Sequence, residues 1–233
     1  MEISKGIRIN GLGLVFGKAL IIADVHMGYE ESLNKKGILL PRKQYKETIW
    51  KLKDMLSNAE VDTIIINGDI KHEFGTISET EWRHTLQLID FLSEKCKKLI
   101  LLKGNHDTIL GPIAKKRDIE VKDYHVIKDT FICHGHIIPK GFNKCKRIII
   151  AHEHPAIAIK EDSRVEKFKC FLKGKYKGKE LIVMPSLNTV TEGTDIVSEE
   201  KLSPFLQQDL SSFEVYVVEG RDLFYFGKVK SIA

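Results

Sequence analysis

The sequence predicts an α/β fold in which the strands deliver the chemistry and the helices pack around them. Short apolar runs rich in β-branched residues, Ile64-Ile65-Ile66 and Ile148-Ile149-Ile150 the clearest, have the composition of strands buried on both faces. Stretches with helical spacing of apolar residues lie between such runs, as at Tyr45, Ile49, Leu52, Met55 and Leu56. Five of the runs also stop in a polar cluster: Asp24-Val25-His26, Asn67-Gly68-Asp69-Ile70-Lys71-His72, Gly104-Asn105-His106-Asp107, His134-Gly135-His136 and His152-Glu153-His154. Open α/β sheets bind ligands beyond the carboxyl ends of their strands, so the five clusters are expected to converge on one site.

In chain order, residues 3–9 and 12–16 alternate about Gly11 and Gly13 and predict an opening hairpin. The first central strand covers residues 19–22, and residues 27–41 read as a polar, lysine-rich connection ending at Pro41. A helix follows over 42–57. Ser78 and Glu81 have the spacing of a capping box, ahead of a helix whose buried stripe is Trp82, Leu86, Ile89, Leu92 and Cys96. Residues 99–102 predict a strand, 109–117 a short helix, and 124–127 and 130–133 a strand pair. Residues 168–172 pair with 181–183 as a hairpin, a small-polar loop at 185–195 lines the cleft, and 213–218 with 222–228 close the chain. No repeat or linker divides it, which predicts one domain over 1–233.

The 233 residues are 42% hydrophobic and 30% charged, with a net charge of +5. That balance permits an anionic partner and does not require nucleic acid. Cys96, Cys133, Cys145 and Cys170 lack Cys-x-x-Cys spacing, and the N-terminus lacks the pattern of a signal peptide. No apolar run reaches the ~18 residues of a spanning helix. The expectation is a reduced protein in the cytoplasm with no membrane partner. Lys167, Lys169, Lys173, Lys175, Lys177 and Lys179, interleaved with Phe168, Phe171 and Tyr176, either follow a nucleic-acid backbone or guard a sheet edge against pairing.

The residue types in the clusters suit a metal site. Residues two apart on an extended segment share a side, so Asp24 with His26, and His152 with His154, can each serve metal ions while Glu153 faces away. Asp69, at the end of the central strand, is expected to bridge two divalent cations. Asn105 offers a neutral carbonyl oxygen, Gly104 allows a sharp turn, His106 is placed to meet the substrate, and His134 is a ligand with Cys133 its buried neighbour. Two cations ~3.5–4 Å apart would make water reactive near neutral pH and neutralise a phosphate ester. His136 reads as a substrate contact or a supporting histidine. Arg42 reads as a phosphate contact or a solvated arginine, and His84 and His125 carry no role.

Taken together, Asp24-x-His26, Gly68-Asp69-x-x-His72, Gly104-Asn105-His106-Asp107, His134-Gly135 and His152-x-His154 resemble the five signatures of the calcineurin-like metallophosphoesterase superfamily, over residues 19–155. The resemblance implies a four-layer α-β-β-α sandwich with two mixed sheets. It implies a first metal on Asp24, His26, Asp69 and His154, and a second on Asp69, Asn105, His134 and His152. It makes His106 the general acid protonating the leaving oxygen, or the group that stabilises its charge; beside it His72 and Asp107 are read as catalytic residues, and Arg42, His136 and Asn105 as candidate substrate contacts. Oxygen and nitrogen donors without thiolate fit manganese first, then iron, nickel, cobalt, zinc or magnesium. Ala151 stands where the last motif usually has glycine. His72 stands where many phosphatases of the superfamily have an acid, and this Gly-Asp-x-x-His form resembles SbcD-like repair exonucleases and the small phosphoesterases associated with DNA ligase. The expected substrate is a phosphodiester: a cyclic nucleotide, a small diester or a nucleic-acid end. The alternatives are a DNA or RNA nuclease and a non-catalytic scaffold of the same fold.

Overall fold

The computed structural model describes residues 1–74, 78–107, 110–117, 119–161 and 164–232. Four short strands open the chain as an antiparallel meander: β1 (Glu2–Ser4), β2 (Ile7–Asn10), β3 (Gly13–Phe16) and β4 (Ala19–Ile22). The expected opening hairpin is therefore one strand larger. A short helix, α1 (Tyr29–Lys35), interrupts the stretch read as a connection. It has no apolar stripe to betray it, because its inward face carries Glu30 and Ser32. Then come α2 (Gln44–Ser57), β5 (Thr63–Asn67), α3 (Glu79–Ser93), β6 (Lys98–Leu102), α4 (Leu110–Lys116) and β7 (Glu120–Lys122). Residue 109 of the expected 109–117 helix lies outside the described residues. Among the described residues the first sheet runs in sequence from β1 to β7, antiparallel up to β4 and parallel beyond it. Leu52 and Met55 of α2, and Leu88, Ile89 and Leu92 of α3, share its apolar cluster.

The second sheet comprises β8 (Tyr124–Ile127), β9 (Thr130–Cys133), β10 (Arg147–Ile150), β11 (Pro155–Glu161), β12 (Arg164–Tyr176), β13 (Lys179–Val183), β14 (Thr194–Asp195), β15 (Glu214–Glu219) and β16 (Asp222–Lys228). Its path is β14-β11-β12-β13-β10-β9-β8, with β15 and β16 added on β12. The period of two along its strands explains how the sheets stack. Ile132, Ile149, Phe171 and Ile182 face the first sheet's core, whereas Phe131, Cys133, Ile148, Ile150, Cys170, Leu172, Leu181 and Val183 face outward into a second cluster. That outer face is covered by a coil carrying Phe205, Leu206, Leu210 and Phe213, together with a 3-10 turn at Phe142–Lys144, where the first sheet has helices. The strand β11 went unforeseen in the sequence; it opens on Pro155, a residue tolerated at a strand's first position.

Register sets the strand ends level. Ile22 pairs Ile66, Ile66 pairs Leu101, and Ile149 pairs Ile132, so the polar clusters after β4, β5, β6, β9 and β10 emerge along one rim. The loop after β13 backs this rim: the Leu187 and Asn188 N–H groups donate to the carbonyls of Ala23 and Asp24 at 2.8 and 3.1 Å. Lys169 secures that loop, its ammonium donating to the Ser186 carbonyl (2.9 Å) and hydroxyl (3.0 Å) and to the Asn188 carbonyl. No helix among the described residues is long and apolar enough to cross a membrane. Because Ser186 and Asn188 are buried, Lys169→Met leaves their carbonyls without a donor. Thermal unfolding of that variant should show a loss of about 1–3 kcal/mol; an unchanged melting temperature would contradict the role given to this lysine.

Candidate metal centre

The site is built on strained backbone. Among the described residues seven non-glycine positions have left-handed φ, and five of them are Asp24 (51°), His26 (49°), Asp69 (47°), His152 (68°) and His154 (50°). Such conformations cost about 1–3 kcal/mol each and persist where the surroundings over-determine them. Here the surroundings are backbone: the Asp24 N–H donates to the Gly68 carbonyl (3.2 Å), His26 N–H to the Asp69 carbonyl (2.8 Å) and Met27 N–H to the Ile70 carbonyl (2.9 Å). This corrects the extended-segment reading of the Asp-x-His and His-x-His pairs. They converge because alternate residues turn left-handed, not because a strand alternates.

Three donor groups have ligand atoms within 4.8 Å of one another: two combine nitrogen and oxygen, Asp24 with His26 and His154, and Asp69 with His134 and His152, while a third, His26 with His72 and His106, is nitrogen alone. In the first, His26 Nε2 and His154 Nε2 face each other at 3.2 Å, and His154 Nε2 lies 3.5 Å from Asp24 Oδ2. In the second, His134 Nε2 lies 3.2 Å from Asp69 Oδ2 and 3.1 Å from Asn105 Oδ1. Asp69 joins them, since the same Oδ2 is 3.8 Å from His26 Nε2 while Oδ1 accepts the His106 N–H at 2.9 Å. Asp24 Oδ1, 3.4 Å from His134 Nδ1, and His26 Nδ1 are buried with no hydrogen-bond partner. Buried orphans beside facing imidazole nitrogens fit a cation site.

The electrostatics agree. Burial, then the neighbouring His154, pushes His26 down to about 3. Burial with the neighbouring His134 charge brings His152 to about 4, so both imidazoles are neutral near pH 7 with lone pairs available. Burial alone would raise Asp24 and Asp69, but the histidines around them outweigh it and hold both carboxyls below their ordinary value. His134 differs: burial would lower it, yet Asp69 and Asp24 carry it up to about 9, so near pH 7 it holds a proton that a bound cation would have to displace. Cys133 is buried with its thiol pushed up to about 12, which removes a thiolate from the donor set.

His106 projects over the first group, its ring 4.8 Å from that of His26. Its Nδ1 meets the His72 carbonyl oxygen. A carbonyl only accepts, so Nδ1 carries the proton and Nε2 is the free nitrogen. The His72 ring is stacked 5.4 Å from His106 and sits 4.2 Å from Tyr29, and the exposed Phe74 ring lies 3.7 Å from His106. His136 is half-buried on the other flank, 5.2 Å from His134, where it lines a cavity of 150 Å³ with Lys103, Asp123 and Cys133. Asp107, expected among the catalytic groups, is turned inward: Oδ2 accepts the Gly104 N–H at 3.1 Å, and burial followed by the Asp69 charge pushes it up to about 7. Arg42 is exposed at the entry to α2, where its charge is felt by His84. The sequence reading did not single out Glu30, gave Glu81 to a local cap and named no partner for Glu153; all three are buried. Glu30 accepts from the N–H groups of Lys43 and Gln44, Glu81 from those of His72 and Glu73, and Glu153 from those of Leu202 and Ser203, each at 2.8–2.9 Å. Glu153 does face away from the metal donors, as expected. Gln44 in turn donates to the His26 carbonyl at 2.7 Å.

The family model for calcineurin-like phosphoesterases matches residues 17–209, and the chain belongs to that family. Among solved structures, the nuclease MPE of Pseudomonas putida is similar with a TM-score of 0.64 at 17% identity, over 93% of each chain. The phosphoesterase YfcE of E. coli (TM-score 0.42, 12% identity, 92% of this chain and 94% of that one) is also similar. So is a zinc-complexed Vps29 of Entamoeba histolytica (TM-score 0.41, 16% identity, 89% and 96%). Comparison with curated proteins gives no match.

Gly104 tests how tightly the centre is assembled. Its backbone is not left-handed, so the turn itself does not demand glycine; instead a Cβ there would stand 1.9 Å from Asp69 Oδ1. Gly104→Ala should displace Asp69, lower stability by about 1–3 kcal/mol and weaken manganese uptake measured by calorimetry. Unaltered metal stoichiometry and affinity would contradict this placement of Asp69.

Proposed function

We propose that the protein is a dinuclear-metal phosphodiesterase acting on a cyclic nucleotide, a small diester or a nucleic-acid end. The observation that carries this reading is the meeting of two nitrogen-and-oxygen donor groups at one carboxylate, Asp69, with a histidine of fixed tautomer beside them. Asp24, His26, Asp69 and His154 would hold one cation, and Asp69, Asn105, His134 and His152 the other. Bound there, a pair of divalent cations makes water nucleophilic near neutral pH and offsets charge on the phosphoryl oxygens. The donor set favours manganese, with iron, nickel, cobalt, zinc or magnesium as substitutes.

The chain's own residues supply the remaining steps. His106, anchored through Nδ1, presents Nε2 to the leaving oxygen; entering the step as the imidazolium, protonated at both nitrogens, it gives that oxygen the Nε2 proton as the ester bond breaks and is left as the Nδ1–H tautomer. His72 presents its backbone carbonyl to His106 and its ring to the same face. An imidazole neutral at pH 7, lowered by burial and the neighbouring His106 to about 4, repels a diester less than a carboxylate would. Asp107 supports the site from within, through the turn that carries Asn105 and His106. The unpaired Cys96, Cys133, Cys145 and Cys170 accord with a cytoplasmic protein. The apolar cluster shared between the sheets accords with one folding unit over 1–233.

A nuclease is the second reading, and the P. putida nuclease of similar fold keeps it in view. The lysine-rich hairpin supports it weakly. Lys169 is spent on the loop after β13, Lys179 on the Asn143 and Cys145 carbonyls, and Lys167 and Lys173 on Glu199 and Glu214. Lys175 and Lys177 remain exposed.

Metal-free protein re-supplied with manganese should hydrolyse bis-p-nitrophenyl phosphate faster than p-nitrophenyl phosphate. His106→Ala should lower kcat by about 10²–10⁴-fold with its metal content intact. Turnover of the monoester alone would overturn the diester assignment. A steep loss of DNA affinity with salt would move the assignment to the nuclease.

A further inference from the structure

The peptide unit joining His72 and Glu73 is held from both of its polar ends. On one side the Glu73 N–H donates to Glu81 Oε1 at 2.9 Å; on the other the His72 carbonyl accepts from His106 Nδ1. The peptide is trans, so its N–H and C=O point in opposite directions and a hold on one aims the other. The preceding His72 N–H is shared between Glu81 Oε1 (2.8 Å) and the Met27 carbonyl (3.0 Å).

Glu81 is not where a capping box would place it. Ser78 does cap α3, its hydroxyl oxygen accepting the Glu81 N–H at 3.1 Å, but the Glu81 carboxylate leaves the helix and crosses to the 72–73 turn. It is buried there, and room has been kept for it: Gly28, at a φ of 92°, lies so near that a Cβ would stand 2.6 Å from Glu81 Cγ. Lys71, also buried, donates from its ammonium to the Glu73 carbonyl and fixes the turn from the far side.

We propose that Glu81 is a positioning residue for His106, acting through the 72–73 peptide. His72, three residues after Asp69, offers His106 a backbone carbonyl and no carboxylate. In this chain the carboxylate stands one peptide further back: it grips the Glu73 N–H, the peptide turns the His72 carbonyl toward His106, and the carbonyl holds Nδ1 protonated so that Nε2 faces the site. Hydrogen bonds in such a chain polarise one another, so the carboxylate also strengthens the last link. Glu81 touches neither substrate nor metal in this scheme.

The inference rests on the hydrolase reading for its kinetic consequences, but not for its structural ones. The test compares Glu81→Gln, which keeps an oxygen acceptor at the same reach, with Glu81→Asp, one methylene short, and Glu81→Ala. On bis-p-nitrophenyl phosphate with manganese, the Asp and Ala variants should lose about 10- to 100-fold in kcat with KM and metal content unchanged, and Gln should stay within about threefold of wild type. In the metal-free protein, amide exchange at Glu73 should accelerate in Asp and Ala but not in Gln. The ¹⁵N shifts of the His106 ring should report the Nδ1–H tautomer in wild type and Gln, and a mixture in Asp. Wild-type kcat in Asp and Ala, loss of metal in parallel with kcat, or a Glu73 amide that stays protected in Asp would each overturn the inference. If Ala does not fold, the contrast between Gln and Asp decides alone. Should the wild type turn over no diester with any metal, the hydrolase reading fails, while the exchange and ring-shift measurements still decide what Glu81 does.

Discussion

Everything around the site is arranged so that one carboxylate can be in several places of need at once. Asp69 has one oxygen on the His106 N–H and the other within 4 Å of imidazole nitrogens from both donor groups. Reaching that position requires the end of β5 to turn left-handed, and it requires β6 to follow with a residue that has no side chain where the carboxylate passes. Asp24 also reaches both halves, but with different oxygens, Oδ1 3.4 Å from His134 Nδ1 and Oδ2 3.5 Å from His154 Nε2, whereas Asp69 turns the same Oδ2 toward both. A cation on either side would relieve the repulsion that burial of Asp24 and Asp69 together creates.

A second regularity stands behind the ligands. Glu30, Glu81 and Glu153 each accept two consecutive backbone N–H groups, and each sits on or opposite a turn that carries candidate ligands or His106. Glu153 lies between His152 and His154 and reaches out to 202–203. Glu30 holds the start of α2, from which Gln44 returns to the His26 carbonyl. A carboxylate receiving two amide protons is a strong, directional tie. The cost of the left-handed conformations at the ligands is met by the folded frame, through bonds such as the His26 N–H to the Asp69 carbonyl.

Much of this could be read from the residues. The strand runs, the helices at 44–57 and 79–93 and the five clusters follow from composition and period, because burial on both faces of a parallel strand leaves no choice but apolar side chains. The grouping of Asp24, Asp69 and the histidines also followed, since polar residues at strand ends have only one rim to occupy. What escaped has a physical reason in each case. The left-handed turns are fixed by backbone hydrogen bonds between distant segments, which sequence spacing does not encode. Helix α1 buries Glu30 and Ser32, so no apolar stripe marks it. Glu81 has the pattern of a local cap and uses its carboxylate on a turn eight residues away. The lysines of 167–179 looked alike in sequence, yet the fold spends four of them on internal partners.

The central claim, that Asp69 is shared by two cations, is tested most directly by anomalous diffraction at the manganese edge from crystals grown with excess manganese. The account predicts two anomalous peaks about 3.5–4 Å apart, with carboxylate oxygen of Asp69 bonded to both, His26 and His154 on one and His134 and His152 on the other. A single peak, or two peaks with Asp69 bonded to neither, would contradict it.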